Sequence, residues 1–267
     1  MWNASIVVFE PNLESLHAVL SSAQACSDLQ SGVVVDNGAS AEAKALVTQF
    51  PKFRYELNPD GNAGFGNAHN FAFRSLPAAP FHAVLNPDIR FEPEAIRRLL
   101  EAMAADRTIQ LTGPALYNAD GSQQLLCKRY PSIRALLARR FLPLDVTQWL
   151  GFDVDANYFE MRDADYAREI EPEFLSGALM MFRRDTYERL RGFDERFFLY
   201  FEDCDITLRA RRLGRAVYVP GARVTHDWAR GSHRSLKLTW VTVVSLVRLF
   251  NKHGWRWRDP NLALRHF

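Results

Sequence analysis

The sequence predicts an α/β protein: a mostly parallel central sheet flanked by helices, with a smaller, less regular lobe in its second half. Three observations predict it. Up to about residue 116, short β-branched runs alternate with segments of helical period. Each run is followed by residues that turn the chain or cap a helix. The 267 residues, 48% hydrophobic and 24% charged, have the composition of a globular chain long enough for a large core.

Taken in order, SIVVF (5–9) reads as a strand, and Leu13, Leu16 and Leu20 follow at helical spacing behind Asn12, a capping residue. GVVVD (32–36) precedes a helix capped by Ser40. FRYEL (53–57) leads through the glycine-punctuated loop GNAGFGN into a helix beginning near Gly64. FHAVLN (81–86) is followed by a helix through Ile96, Leu99 and Leu100. Four β-to-α units in a row imply a sheet covered on both faces. The pattern assigns nothing from 142 to 172. Order returns at FLSGALMMF (174–182), a helix from Glu202 to Leu213, the strand AVYVP and a C-terminal amphipathic helix (236–267) ending in tryptophans.

Composition narrows the function. Lys plus Arg number 33 and Asp plus Glu 31, so a net charge of +2 provides no basic field for nucleic acid. Cys26, Cys127 and Cys204 are odd in number and form no CxxC, which fits a reducing cytoplasm without structural disulfides or a zinc ribbon. The N-terminus lacks a signal-peptide pattern. The apolar run LTWVTVVSLVRLF is broken by Thr239, Thr242, Ser245 and Arg248, short of the ~20 residues a bilayer span needs. Lys237, Arg248, Lys252, Arg256 and Arg258 flank it. A contact with the inner face of the plasma membrane, packing on the core and a homodimer contact are the three readings of this stretch.

In parallel sheets ligands collect beyond the carboxyl ends of the strands. Asp36, the GNAGFGN loop and Asn86-Pro87-Asp88 stand there. Asp88 projects a carboxylate where a phosphate-bound cation could sit, although Asn-Pro-Asp also makes an ordinary turn. The loop spells GxxGxG, neither a dinucleotide fingerprint nor a P-loop, and its helix start offers free N–H groups to a ligand. Glu202, Asp203 and Asp205 open a helix behind the aromatic run FFLYF. Capping explains part of that cluster, and Asp205 can pair with Arg209. A like-charge neighbour and aromatic walls would lift a carboxylate there into the range of a general base. His226 with Asp88 would give a mixed N/O set for Mn²⁺ or Mg²⁺, and Arg230, His233 and Arg234 could meet phosphates.

Together and in order, VVVDNGAS, NPDGNAGFGNAHN, LNPD, FLSGALMMFRRDTYERLRGFDERFFLYFEDCDITLRARRLG and a histidine after VPGARVT resemble the bacterial family 2 glycosyltransferases. Among these the chain is most similar to rhamnosyltransferase-type members that build cell-surface polysaccharides. The resemblance implies a GT-A fold, Rossmann-like, in one domain: a nucleotide-sugar half (1–116), an acceptor and catalytic half (117–235) and the C-terminal helix. It implies a dTDP- or UDP-sugar donor, with rhamnose as the sugar and UDP-hexose or UDP-N-acetylhexosamine as alternatives. It further implies a glycan or lipid-linked glycan acceptor, a divalent cation and inversion at the anomeric carbon. By the same resemblance Asp36 meets the pyrimidine base, Asn62, Gly64, Asn70 and Asn86 line the donor, and Asp88 and His226 hold the metal. Ser176, Gly177 and Ala178 form the floor between donor and acceptor. Asp203 is the base, supported by Glu202. Asn86 stands where many members carry a first aspartate of Asp-x-Asp, which leaves one carboxylate fewer for the ion. Two rivals remain: a sugar-1-phosphate nucleotidyltransferase, which VVFEPNLESL does not equip with a basic activating loop, and an inactive carbohydrate-binding or scaffold domain.

Overall fold

The structure, a computed structural model, describes residues 1–140, 142–227 and 236–263. Its first half runs β1 (Trp2–Val8), α1 (Leu13–Gln24), β2 (Leu29–Asp36), α2 (Ala41–Val47), β3 (Phe53–Leu57), α3 (Phe65–Ser75) and β4 (Phe81–Leu85). These four strands are parallel, side by side in the order β3-β2-β1-β4. The caps fall where the sequence puts them: Ser15 N donates to Asn12 Oδ1 at 2.9 Å and Ala43 N to Ser40 Oγ at 3.1 Å.

The fourth unit departs from a simple strand-to-helix step. Asn86-Pro87-Asp88 turns the chain into β5 (Ile89–Phe91) before α4 (Pro93–Ala105) begins. Next come β6 (Ile109–Tyr117), β7 (Gln123–Gln124), α5 (Ile133–Arg140), α6 (Leu144–Trp149), α7 (Phe152–Phe159), β8 (Leu179–Arg183) and α8 (Arg184–Leu190). α9 (Glu202–Arg211), β9 (Arg215–His226), α10 (Leu236–His253) and α11 (Pro260–Ala263) follow. The segment that periodicity leaves unassigned thus contains α6 and α7. β8 inserts antiparallel between β4 and β6, β9 lies parallel to β6, and β5 pairs antiparallel with β9, Ile89 opposite His226. That last pairing brings the end of β9 to the Asp88 turn.

Apolar side chains from α1, α4 and the sheet, among them Ile6, Leu20, Val34, Leu85 and Leu99, form one core layer. Leu111, Leu175, Met180, Phe182, Tyr187 and Ile206 form another beneath α8 and α9. A third cluster joins Tyr130, Phe159, Phe174, Phe197 and Cys204 to Leu249 and Phe250 of α10. Of the three readings of the C-terminal helix, packing on the core is the one this contact displays. Burying side chains of this size contributes about 1.5–3 kcal/mol each.

One polar chain crosses the core. Ser5 Oγ lies 2.7 Å from His69 Nδ1 and 3.2 Å from His82 Nε2, whose Nδ1 is 2.7 Å from Asn3 Oδ1. Burial holds both rings neutral, His69 with its pKa down to about 3 and His82 well below its ordinary value. Unfolded histidines bind protons from about pH 6.5 downward, whereas these two do not while folded. Folding stability is therefore lost as pH falls through that range. In denaturant titrations between about pH 6.5 and 4.5, His69→Leu is expected to lose stability on acidification with a shallower slope than the parent; parallel slopes would refute the assignment.

Candidate active site

Two loops and a strand end meet at the carboxyl side of β4. Ser176-Gly177-Ala178 cannot continue β8 because its backbone is committed elsewhere. Ala178 O accepts from Asn86 N at 2.9 Å, and Gly177 N donates to Asp203 Oδ2 at 3.0 Å. The strip therefore spans from the Asn-Pro-Asp turn to the head of α9. Its middle is crowded: a Cβ on residue 177 would stand 3.3 Å from Asp203 Cβ, so any larger residue would push Asp203 by a few tenths of an ångström.

On the turn side, His226 Nε2 lies 3.5 Å from Asp88 Oδ1, which is buried without a hydrogen-bond partner. Gln124 fixes the ring. Its Nε2 donates to His226 O at 2.9 Å and its Oε1 faces His226 Nδ1 at 3.0 Å, so Nδ1 carries the proton and the Nε2 lone pair points toward Asp88. Asp227 N donates to Asp88 O at 2.9 Å, holding the turn against the end of β9. Among the described residues no three His, Cys, Asp or Glu side chains gather, so these residues offer an ion Asp88 and His226 here. Hexacoordinate Mn²⁺ or Mg²⁺ would draw the rest from phosphate and water.

On the opposite side, α9 begins in strained backbone. Tyr200 and Phe201 have φ of 69° and 65°, conformations that cost bulky residues roughly 1–3 kcal/mol each. α10 holds this loop: Ser245 Oγ donates to Leu199 O at 2.8 Å, Arg248 bonds Arg196 O, and Lys252 Nζ lies 2.6 Å from Asp194 Oδ2. Asp205 is buried against Arg209 at 2.8 Å and Lys252 and His253 at 2.7 Å. Burial pushes its carboxyl up, but the His253 hydrogen bond and the cations outweigh this and hold it below the ordinary range. The Arg209 pairing matches the sequence reading; the ties to α10 were not legible there.

Asp203 and Glu202 behave differently from Asp205. Burial lifts both, Glu202 well above the ordinary carboxylate range because the Asp203 charge adds to burial. Asp203 is half-buried and accepts from Gly177 N and, at 3.0 Å, from Cys204 N, with the Lys128 ammonium opposing its upward shift. Glu202 is 5% exposed and its Oε2 has no partner. Adjacent carboxylates sharing one proton place it on the member with fewer donors, so Glu202 holds the proton and Asp203 the charge.

Several expected donor residues have other tasks. Asp36 is buried, with Gly38 N at 2.7 Å and Ala39 N on one oxygen and Ser40 N and Tyr55 Oη, at 2.9 Å, on the other. It shapes the β2–α2 turn and has no oxygen left for a base. Asn70 is likewise spent: its amide bonds Phe193 N and O, Tyr187 Oη and Glu195, clamping α3 to the loop before α9. Gly64 starts α3 at φ 96°, where a Cβ would lie 2.3 Å from Phe198 O. Its role is close backbone approach. Asn62 is exposed, touched only by Asn37 Nδ2 at 3.4 Å. Arg230, His233 and Arg234 lie outside the described residues. Gln124 and Lys128 were missed: β7 is only two residues long and leaves no periodic signal, and neither residue lies in a recognisable motif.

A carboxyl raised by burial makes the folded state bind a proton that the unfolded chain releases, so stability falls as pH rises through the shifted range. Glu202→Gln removes that burden. Thermal melts from about pH 5 to 8 are expected to show the variant gaining on the parent as pH rises, and a constant offset would place Glu202 in its ordinary range.

The family model described as "Glycosyltransferase like family 2" matches residues 12–241. The chain is 31% identical to the N-acetylglucosaminyl-diphospho-decaprenol L-rhamnosyltransferase of Mycobacterium tuberculosis, over 96% of this chain and 87% of the relative. It is 25% identical to the low-salt glycan biosynthesis hexosyltransferase Agl10 of Haloferax volcanii, over 67% of this chain and 53% of that protein. Among solved structures, GalNAc-T7 with UDP, GalNAc and Mn²⁺ superposes with a TM-score of 0.68 at 16% identity. The match covers 94% of this chain and 47% of GalNAc-T7, so the chain spans about half of that protein. The mannosyltransferase PcManGT from Pyrobaculum calidifontis, in complex with GDP-Man and Mn²⁺, gives 0.58 at 13% identity, over 99% of this chain and 77% of that one. These likenesses establish the GT-A fold that the motifs led us to expect, and they set aside both rival readings. The chain belongs to glycosyltransferase family 2 and is a glycosyltransferase.

Proposed function

We propose that this glycosyltransferase moves rhamnose from dTDP-rhamnose, with inversion, to a hydroxyl of a glycan carried on a lipid diphosphate. One observation carries the mechanism: the Ser176–Ala178 strip has Asp203 bonded at one residue and the Asp88 turn bonded at the next. The named activity of the mycobacterial relative supports the choice of sugar and acceptor.

In this reading the donor diphosphate lies toward Asp88 and His226, with Asn62 and the turn shaped by Asp36 along its edge, and the sugar rests on the strip. Asp203 takes the proton from the acceptor hydroxyl as that oxygen bonds to the anomeric carbon. The bond from that carbon to the diphosphate oxygen breaks with its electron pair leaving on the diphosphate. A single displacement inverts configuration and needs no second carboxylate as nucleophile. Glu202, already protonated, leaves Asp203 as the carboxylate that receives the acceptor's proton. The buried, unpartnered Asp88 Oδ1 and the oriented His226 Nε2 suit Mn²⁺ or Mg²⁺, which when bound neutralises the departing diphosphate. With Asn86 in place of a second aspartate, the ion leans more on phosphate.

No helix among the described residues is long and apolar enough to cross a membrane. Trp149, Trp255 and Trp257 are nonetheless exposed, 84% in the first case, and Trp257 packs at 6.4 Å against Phe152 next to the α6–α7 junction. Indole at an exposed site favours the interface between water and lipid. Peripheral contact there fits a lipid-linked acceptor. Flotation with vesicles containing anionic lipid is expected to recover the parent protein and to lose Trp149→Ser/Trp257→Ser; equal recovery would remove this contact.

The central test is a panel of dTDP- and UDP-sugars with Mn²⁺, Mg²⁺ or EDTA. Turnover of dTDP-rhamnose is expected to need the ion and to fall at least ~100-fold in Asp203→Asn, the lower range for losing a general base. Because the base works ionised and burial raises its pKa, kcat/KM is expected to climb with pH along an acid limb above the ordinary carboxylate range. Preference for a UDP-hexose would move the enzyme to the alternative donor class. Undiminished turnover in Asp203→Asn would take the base role from Asp203.

A further inference from the structure

Among the described residues, Lys128 is a cation without a side-chain acceptor, on the strand of contacts that leads to Asp203. It is half-buried, its Nζ lies over the Phe174 ring at 4.5 Å from the centroid, and it has no hydrogen bond or ion pair among the described residues. Arg139, the other cation beside it, is engaged by Glu160 Oε1 at 2.7 Å. Lys128 is fixed by its backbone: Lys128 N donates to Phe174 O and Phe174 N to Lys128 O, both at 3.0 Å. Contacts along residues 174–178 therefore fall in a set order, with Lys128 at 174, Asp203 at 177 and the Asp88 turn at 178. Lys128 stands at the end remote from the proposed diphosphate of the donor, past the base, on the side from which the acceptor hydroxyl must come.

The Asp203 charge acts on this ammonium without a direct bond to it; a partly desolvated ammonium that lacks a hydrogen-bond acceptor is costly, and a ligand anion that reaches it recovers that cost through charge-assisted hydrogen bonds. We propose that Lys128 binds a phosphate group of the acceptor and so selects acceptors that carry one. This inference rests on the lipid-diphosphate acceptor proposed above. It makes Lys128 a specificity residue in addition to its electrostatic influence on Asp203.

Two measurements on the full chain separate the possibilities. The first titrates a short-chain prenyl diphosphate and N-acetylglucosamine 1-phosphate into the protein in EDTA, following tryptophan fluorescence. Lys128→Met is expected to weaken the prenyl diphosphate at least ~10-fold, with Lys128→Arg restoring most of the affinity. Unchanged affinity in Lys128→Met overturns the proposal whatever the enzyme's acceptor. Stronger Lys128 dependence for the sugar phosphate than for the prenyl diphosphate keeps the phosphate site and assigns it to an unlipidated acceptor. The second compares turnover with prenyl-diphospho-N-acetylglucosamine and a neutral alkyl N-acetylglucosaminide. KM for the first is expected to rise at least ~10-fold in Lys128→Met while KM for the second stays within about twofold. Equal changes for both, together with a displaced pH limb, would mean that Lys128 acts only through Asp203. Should the parent turn over neither compound while Lys128-dependent binding persists, the acceptor reading falls and the phosphate site stands.

Discussion

The hydrogen bond from the Gly177 amide to the Asp203 carboxylate sets the geometry on which the rest of the site depends. It holds the Asp203 carboxylate by backbone, which has fewer ways to relax than a side chain, and a Cβ at residue 177 would crowd that carboxylate's own Cβ at 3.3 Å. The same strip bonds Asn86 on one flank and, through Phe174, Lys128 on the other. Three functional groups from distant parts of the chain thereby acquire a common ruler. A shift of the strip would move all three together and would change their spacing little.

Charge in the site is arranged by contrast. Asp203 and Asp205 are two residues apart on one helix, yet one is raised by burial and the other is held low by Arg209, Lys252 and His253. Asp205 anchors α9 to α10, whereas Asp203 has the raised carboxyl that the proposed base role requires. Glu202, deep and with its Oε2 unpartnered, absorbs the proton that two neighbouring carboxylates cannot both lose. The left-handed backbone at Tyr200 and Phe201 aims this group, and the bonds from Ser245 and Arg248 offset the strain.

The parallel half of the fold was legible because β-branched runs and capped helices at short range report their own structure, as Asn12 and Ser40 do. The strand ends marked Asp88, and the acidic helix start marked Asp203, because both features are local in sequence. What escaped were partners made by long-range pairing. Gln124 meets His226 across 102 residues, and Lys128 meets Phe174 across a loop with no motif. Two expected donor residues show the reverse side of local legibility. Asp36 and Asn70 stand at recognisable positions, but position does not reveal whether a side chain's hydrogen bonds are already taken.

The brace that α10 places on α9 orders events during synthesis. A nascent chain that has exposed residues through 227 holds the residues of the sheet, the Asp88 turn, the strip and the three acidic side chains at the head of α9. It lacks the lysine and histidine that neutralise Asp205 and the serine that secures Leu199. Until residues 245–253 leave the ribosome, a buried aspartate has only Arg209 to offset it, and the left-handed turn has less to hold it. The full set of bonds that braces the acidic head of α9 is thus complete only once α10, which is encoded later, has joined it.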